Sequence, residues 1–327
     1  MVPTKRKIEN DNKGHVEQLN YHQDLKKFKN EGPSSFELQL QKMEAESEKT
    51  VDPVSFWNRP PLPDINPDED PIIFQQIEID DTVEIEKDDL NTHEYGSNRK
   101  FAPVIRFYGC TEKGNSVVCN VHGFHHYLYV PAPANFTEAN LPDFKEALNN
   151  ETINDVKKVE IVLRESIYHY HGNQKSPFIK ITTSLPKQLS GIKRRLEQGI
   201  NIKGFGERAF NTFDSTLNYD LRFMIDRGIT GVNWLECPPK KYTIKPKEKC
   251  VSNCQLEIDI DYKDLISHEP ENEWSHIAPL RILSFDIECS GRPGVFPEPK
   301  HDSVIQIANV VTIQGTMITN NLLYSIN

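Results

Sequence analysis

Hydrophobic and polar positions alternate in some parts of the chain and recur at helical spacing in others. Strand-like runs over residues 72–79 and 103–133 stand between turn-forming residues, and the second run has the pattern of a meander. Beyond them the two periods mix, which indicates an α+β fold. The predicted helices cover 141–151, 185–199 and 214–228, and predicted strands lie within 156–172, 177–184 and 231–242.

The predicted helix over 214–228 has signals at both ends and along one side. Asp214 or Ser215 is placed to cap its amino terminus, and Gly228 is placed to end it. Its apolar side chains recur at helical spacing, so we expect a stripe buried in the core and not a ligand site. This stripe consists of Leu217, Leu221, Met224 and Ile225.

The most informative alternation runs over residues 281–289. One face of this strand carries Leu283, Phe285 and Ile287, and the other carries Ser284, Asp286 and Glu288. Two neighbouring carboxylates repel each other unless a divalent cation such as Mg²⁺ or Mn²⁺ stabilises both. Asp286 and Glu288 are therefore candidate metal ligands and catalytic residues of a two-metal nuclease. The alternative is an edge strand with two solvated acids.

The sequence around this carboxylate pair favours the metal site. A second apolar strand is predicted over 303–313, and Gly315 is placed to turn the chain into a third, antiparallel strand over 316–326. A carboxylate pair on the first strand of such a sheet is typical of the opening of a ribonuclease-H-like fold.

The amino-terminal part has a composition unlike that of the predicted domains. Residues 1–50 are rich in Lys, Glu, Gln and Asn, and we expect them to be mostly disordered, with a short helix near 34–49. Residues 51–71 carry six prolines, which favours an extended connector. The basic cluster at 5–7 is either part of a nuclear address or solvated surface. No apolar run approaches the roughly 20 residues that span a membrane.

The formal net charge of −10 requires that any contact with nucleic acid be local. One basic cluster consists of Lys193, Arg194 and Arg195 on a predicted helix, with Lys203 and Arg208 just beyond it. A second fills the loop of Lys240, Lys241, Lys245, Lys247 and Lys249. Aromatic side chains would stack on bases if they lay on an open sheet face, and otherwise belong to the core. The candidates for stacking are Tyr168, Tyr170 and Phe178.

Cysteine and histidine residues give little sign of a second metal site. Six cysteines in 327 residues are too sparse for a disulfide scaffold and suit a reducing compartment. Cys250 and Cys254 form a close pair, but no second Cys or His pair stands beside them, so we expect no zinc site. We expect His122, His125 and His126 to be ordinary strand and turn residues, because no suitably spaced carboxylate or cysteine accompanies them.

The segment over 275–311 resembles the first exonuclease motif of family B DNA polymerases. The likeness rests on "FDIEC", then "GRPGVFPEP", then "VIQIANVV". Further segments are similar, in the same order, to the amino-terminal domain of these enzymes; they lie at 57–63, 104–133, 165–181 and 221–242. The resemblance thus covers nearly all of residues 57–313.

This resemblance implies a replicative polymerase with 3′→5′ proofreading exonuclease activity. It places the first two metal-ligating acids at Asp286 and Glu288, with Mg²⁺ or Mn²⁺ as the metal. It also implies an amino-terminal domain made of an OB-like β barrel and an RNA-recognition-like α+β unit, followed by the first strands of a ribonuclease-H-like exonuclease domain. The expected divisions are a tail over 1–50, a connector over 51–71, the amino-terminal domain over 72–277 and the exonuclease start over 278–327.

The resemblance further implies DNA as the ligand, both as primer-template and as a single-stranded 3′ end, and a nuclear location. Later exonuclease and polymerase motifs of the family are not found in the sequence, and neither are its carboxy-terminal cysteine clusters for zinc or iron–sulfur. We therefore expect a fragment with an incomplete two-metal site that lacks the contacts with accessory subunits and the sliding clamp. The alternative is a stand-alone module that binds single-stranded nucleic acid, or a purely structural one, without catalysis.

Overall fold

The computed structural model describes residues 59–85, 101–149, 156–166, 172–315 and 319–325. The chain divides into two compact units: a larger one of the described residues between 59 and 283 with 311–315, and a smaller one of 284–310 with 319–325. Within these ranges no helix is long and apolar enough to cross a membrane. The predicted tail and the part of the connector before Arg59 lie outside the described residues.

The larger unit is built around a seven-stranded sheet. Its strands are β1 (Ile72–Ile85), β2 (Phe101–Thr111), β3 (Ser116–His122), β9 (Trp234–Cys237), β10 (Tyr242–Ile244), β11 (Leu256–Asp261) and β12 (Ile266–His268). They lie in the order β10-β11-β3-β2-β1-β9-β12, with all pairs antiparallel except the parallel pair of β11 and β3. The strand predicted at 72–79 is confirmed and continues to Ile85.

This sheet curls strongly upon itself. Strands β3 and β9 are separated by β2 and β1, so in a flat sheet they would lie about 14 Å apart. The Sγ atoms of Cys119 on β3 and Cys237 on β9 nevertheless lie only 3.8 Å apart, and both side chains are fully buried. The inner face therefore encloses a core, to which Phe107, Leu235 and Ile258 contribute.

A β-bulge and a glycine bring β1 and β2 unusually close together. The register of the pair shifts between Gln76 and Glu78, opposite Gly109. A Cβ atom added at Gly109 would overlap the backbone oxygen of Gln75 and the ring of Phe74. The approach of the two backbones at this point therefore requires glycine.

A second, three-stranded sheet belongs to the same unit. It has the order β4-β6-β5, with β4 (Tyr127–Pro131), β5 (Val156–Arg164) and β6 (Ser176–Thr183). Helices α1 (Leu141–Asn149) and α2 (Leu189–Gln198) share a buried cluster with this sheet, and a short hairpin of β7 (Ile200–Ile202) and β8 (Gly206–Arg208) follows. The helices predicted near 141–151 and 185–199 are thus confirmed. The prediction of one meander over 103–133 is wrong at its end, because β4 pairs with β6 and not with β3.

The third helix, α3 (Tyr219–Arg227), differs from the prediction in its amino-terminal cap and in the residues that it buries. Gly228 ends it in the left-handed conformation, as predicted, but the residue before the helix is Asn218 and not Asp214 or Ser215. Its buried residues are Tyr219, Arg222 and Phe223, whereas Leu221 and Ile225 of the expected stripe are exposed. The reason is electrostatic: Arg222 turns inward to contact Asp214 at 2.7 Å and Asp226 at 3.7 Å.

The smaller unit carries most of a three-stranded sheet in the order β13-β14-β15. Its strands are β13 (Arg281–Cys289), β14 (Val304–Ile313) and β15 (Thr319–Ser325). All three strands expected after residue 278 are present, although 316–318 and 326–327 lie outside the described residues.

Replacing Gly109 with alanine tests the close approach of β1 and β2. We expect Gly109→Ala to lower the free energy of unfolding by about 1–3 kcal/mol, because the added methyl group meets backbone that cannot yield. Gly191→Ala in α2 is the matched control, since nothing lies within 4 Å of its added Cβ atom. It should stabilise the protein by about 0.5–1 kcal/mol. Denaturant unfolding measures both, and equal effects would contradict this account.

Candidate functional site

Asp286 and Glu288 lie on β13, two residues apart and therefore on the same side of the strand. Both residues are exposed, and Asp286 Oδ1 accepts a hydrogen bond from the backbone N–H of Ile287 at 2.9 Å. No salt bridge engages either carboxylate within the described ranges. The alternation predicted from the sequence thus brings the two acids together on one side of an exposed strand.

Their chemistry fits part of a ligand set for a divalent cation. Carboxylate oxygens are the hard donors that Mg²⁺ and Mn²⁺ prefer. Among the residues that the structure describes, no group of three or more His, Cys, Asp or Glu side chains is arranged to hold a metal ion. Asp286 and Glu288 can therefore supply two ligands, and further ligands would have to join them.

The loop after β13 is held by a carboxylate that the sequence analysis did not single out. Asp302 is buried and accepts hydrogen bonds from Arg292 Nε and Nη2, both at 3.1 Å. It also accepts the backbone N–H of Glu298 at 2.7 Å. Phe296 lies between these anchors and is 89% exposed. An Arg and an Asp ten residues apart carry no recognisable signal, so only the fold reveals this pair.

The other side of β13 carries the apolar residues of the predicted alternation. Leu283, Phe285 and Ile287 are all exposed, Phe285 by 69%. The alternation of the strand is present, and the described part of the chain does not cover its apolar side.

The five basic residues predicted to contact DNA have unequal environments. Arg195 is engaged within the protein, where its Nη1 donates to the carbonyl oxygen of Leu148 at 2.6 Å. Lys193 lies 3.9 Å from Glu197 one turn along α2. The other three are exposed; they are Arg194 on α2 and Lys203 and Arg208 on the β7–β8 hairpin. Helix α2 and the following hairpin thus present part of the predicted cluster to solvent.

In the second basic cluster, Lys245 is a structural residue. Its Nζ lies 2.8 Å from Oε1 of Glu257 and 3.7 Å from Oδ1 of Asp259, and it is almost entirely buried. Lys241 pairs with Asp264 at 3.0 Å. Lys240, Lys247 and Lys249 remain exposed.

The buried carboxylate of Glu257 organises the loop that carries Lys247 and Lys249. Its Oε2 accepts hydrogen bonds from the backbone N–H groups of Val251 and Ser252, at 3.1 and 3.2 Å, and from Ser252 Oγ at 3.0 Å. Burial by itself would raise the pKa of Glu257, but these bonds and the contact with Lys245 lower it.

Comparison with known proteins shows which enzymes this part of the chain is similar to. Residues 210–326 match the model of the DNA polymerase family B exonuclease domain, a range that includes Asp286, Glu288 and the whole of β13. The chain is 42% identical over 265 residues to the DNA polymerase delta catalytic subunit of Mesocricetus auratus, an alignment that covers 78% of this chain. The chain is related to the family B DNA polymerases of the delta type. The corresponding subunits of Arabidopsis thaliana and Schizosaccharomyces pombe are 43% and 45% identical, over 80% and 79% of this chain.

The similarity to delta polymerases concerns a portion of those enzymes. The chain spans 24% of the length of the Mesocricetus and Arabidopsis subunits and 23% of the Schizosaccharomyces subunit. The family B DNA polymerase of Pyrobaculum calidifontis has a similar fold, with a TM-score of 0.51 at 18% identity over 78% of this chain and 27% of that one. The mixed α+β fold is therefore one that a family B polymerase also contains.

In this relative of the delta polymerases, the aromatic face of the β4-β6-β5 sheet is covered. Phe178 is buried and meets Phe213 edge-on, with ring centroids 5.5 Å apart. Tyr129 is buried beside it and forms a β-bridge with Phe213. Phe178 therefore cannot stack on a base, while Tyr168 and Tyr170 lie outside the described residues.

The clustered histidines have hydrogen-bond partners within the chain. His122 Nε2 lies 2.9 Å from Oδ1 of Asp259. His126 accepts the backbone N–H of Tyr127 at Nδ1, so its Nε2 carries the proton and donates to the carbonyl oxygen of Leu217 at 2.9 Å. Burial lowers the pKa of His126, which agrees with a neutral ring. Cys250 Sγ contacts the carbonyl oxygens of Lys245 and Pro246.

Acidification should weaken the hydrogen bonds that Glu257 accepts from Val251 and Ser252, which we call the Glu257 anchor. Because its pKa is lower in the folded state, its contribution to stability is fully present above 4.5, the ordinary pKa, and disappears as the pH falls through the folded value. Glu257→Gln should therefore destabilise the protein most near neutral pH, with the difference from wild type shrinking below pH 4.5. Unfolding titrations at several pH values measure this. Exposed Glu269→Gln is the control, and a pH-independent difference for Glu257→Gln would rule out the anchor.

Proposed function

We propose that this chain serves DNA replication as part of a delta-type replicative DNA polymerase and contributes to its 3′→5′ proofreading exonuclease. The observation that carries the proposal is the pair Asp286 and Glu288, exposed on the same side of β13 within the range that matches the family B exonuclease domain. Both the polymerase and the exonuclease activity would belong to a larger enzyme, since the chain spans 24% of the Mesocricetus subunit.

In this proposal Asp286 and Glu288 are the first two metal ligands of the exonuclease. Mg²⁺ or Mn²⁺ ions, when bound, would activate water and stabilise the leaving oxygen of a phosphodiester. The chain's own part is to hold two negative charges side by side on one strand, with the Arg292–Asp302 pair fixing the loop that follows. The remaining ligands would come from other parts of the polymerase.

We also propose the domain organisation that the family resemblance implies. Residues 72–277 would form the amino-terminal domain, with an OB-like barrel and an RNA-recognition-like unit, and 278–327 would begin the ribonuclease-H-like exonuclease domain. The curled seven-stranded sheet supports a barrel, and the β4-β6-β5 sheet with α1 and α2 supports the second unit. Residues 1–50 would be a tail and 51–71 a connector.

The proposed ligand is DNA, as primer-template and single-stranded 3′ end, in the nucleus. Exposed Arg194, Lys203 and Arg208 support a local contact with phosphates despite the net charge of −10. Accessory subunits and a sliding clamp would associate with other parts of the polymerase. The alternative of a stand-alone module for single-stranded nucleic acid is less well supported, because Phe178 and Tyr129 on the sheet face are covered.

Manganese binding tests the carboxylate pair directly. Asp286→Asn with Glu288→Gln should weaken Mn²⁺ binding to the purified chain by about tenfold or more, measured by electron paramagnetic resonance. Glu271→Gln with Glu273→Gln is the matched control, because these exposed acids have the same spacing but do not lie on a strand. Equal losses in the two double variants would refute the assignment.

A nuclease assay separates binding from catalysis. The 327-residue chain with Mg²⁺ should not hydrolyse single-stranded DNA efficiently, because Asp286 and Glu288 supply only two ligands. Strong exonuclease activity that Asp286→Ala abolishes would overturn the need for further ligands from elsewhere in the polymerase.

Charge reversal tests the DNA contact. Reversing Arg194, Lys203 and Arg208 to Glu should weaken binding of single-stranded DNA and reduce the slope of log K against log salt by about 1 for each phosphate that the protein no longer neutralises. Reversal of exposed Lys113, Lys263 and Lys300 changes the net charge equally and is the control. If both variants bind DNA with equally reduced affinity, the effect is one of net charge and the predicted cluster makes no contact.

A further inference from the structure

Two thiol groups meet inside the curled seven-stranded sheet. Cys119 lies on β3 and Cys237 on β9, and their Sγ atoms are 3.8 Å apart. Both residues are fully buried and both carry free thiols. Because β2 and β1 separate β3 from β9 in the sheet, this contact is made across the interior and not between neighbouring strands.

The backbone on each side of this contact is held in place by strand pairing. Cys119 is paired with Phe107 of β2 and with Ile258 of β11, in the middle of the sheet. Cys237 is paired with Ile72 of β1. The two sulfur atoms are therefore presented to each other by the fold, at a separation only about 1.8 Å longer than that of a disulfide bond.

The surroundings of the pair favour an uncharged product. The buried cluster that contains the two cysteines is made mostly of aliphatic and aromatic side chains, among them Phe107, Leu235 and Ile258. Burial raises the pKa of Cys119 well above its ordinary value, so the thiolate is scarce and its oxidation should be slow. A disulfide carries no charge, so the same apolar interior that disfavours the thiolate accepts the oxidised pair.

The position of the pair in the chain gives a bond between the two sulfur atoms a large effect. Residues 119 and 237 stand 118 positions apart. The whole second sheet and all of α1, α2 and α3 lie between them in sequence. A disulfide stabilises a protein mainly by restricting its unfolded state, and in the chain-entropy model the effect grows with the length of the closed loop. One bond would thus fasten the curl and close the second sheet and its helices into one loop.

We propose that Cys119 and Cys237 are a redox-active pair that closes into a disulfide across the curled sheet when a peroxide is present. In a reducing compartment the pair rests as two thiols, as in this structure. The bond acts as a reversible covalent lock on the larger unit. The inference uses neither the carboxylate pair on β13 nor the predicted DNA contact, so it stands apart from the proposed function.

The chemistry of this closure consists of two displacements. The thiolate of one cysteine attacks an oxygen atom of hydrogen peroxide, the O–O bond breaks, and a sulfenic acid forms with loss of water. The neighbouring thiol then attacks the sulfenic sulfur, so that the S–S bond forms and the hydroxyl group leaves as a second water. Both thiol protons end in water, the two sulfur atoms are oxidised and the peroxide is reduced. Thiol–disulfide exchange with an added dithiol restores the two thiols.

Peroxide treatment of the purified 327-residue chain tests the pair. Non-reducing proteolytic mapping by mass spectrometry should identify Cys119 linked to Cys237. Oxidation should raise the urea midpoint of unfolding by about 1 M, and unfolding in the presence of dithiothreitol should give the midpoint of the untreated chain. Cys237→Ser should abolish both the linked peptides and the rise in midpoint. Cys110→Ser removes another buried cysteine of the same sheet and should retain both.

Comparison of each variant with its own reduced form keeps the test independent of the variant's baseline stability. Cys119→Ala removes the other sulfur atom and should behave like Cys237→Ser. Cys250→Ser with Cys254→Ser removes two partly exposed thiols that compete for peroxide, and should leave the link intact. The proposal is overturned if no peptides linked through Cys119 and Cys237 form, if oxidation leaves the wild-type midpoint unchanged, or if Cys237→Ser shows the same rise.

Discussion

The burial of Arg222 is the constraint on which the larger unit depends. A guanidinium removed from water must be paired, and Asp214, Asp226 and the ring of Tyr127 supply its partners. Tyr127 belongs to β4, so one set of contacts ties helix α3 to the second sheet. It also fixes which side of α3 faces inward. The exposure of Leu221 and Ile225 follows from this choice.

Sequence patterns predicted most elements of the fold but not how they combine. Alternation located β1 and β13, and Gly228 marked the end of α3. The inward side of α3 could not be predicted, because apolar periodicity favoured Leu221 and Ile225 whereas a tertiary ion pair placed Arg222 inside. The partner of β4 was missed for a similar reason, since pairing between distant strands leaves no local signal.

The candidate sites, like the fold, could be predicted where the signal is local and not where it depends on tertiary contacts. Local alternation is sufficient to place Asp286 and Glu288 side by side, because neighbouring positions on one strand face need no tertiary information. Basic clusters are different, since the sequence does not tell which cations are used inside the fold. Arg195 caps a carbonyl group at the end of α1, and Lys245 neutralises buried acids of β11. Only the exposed remainder of each cluster is available to a ligand.

The close approach of Cys119 and Cys237 also bears on the dynamics of the curled sheet. These thiols meet across the interior although two strands separate their own strands, and burial raises the pKa of Cys119 well above its ordinary value. Because neither cysteine lies on an edge strand, we expect fraying at β12 or β10 to leave the pair covered. Alkylation of these two sulfur atoms would therefore report a different event, the cooperative opening of the whole curl, and its rate would separate global from local motion without an introduced cysteine.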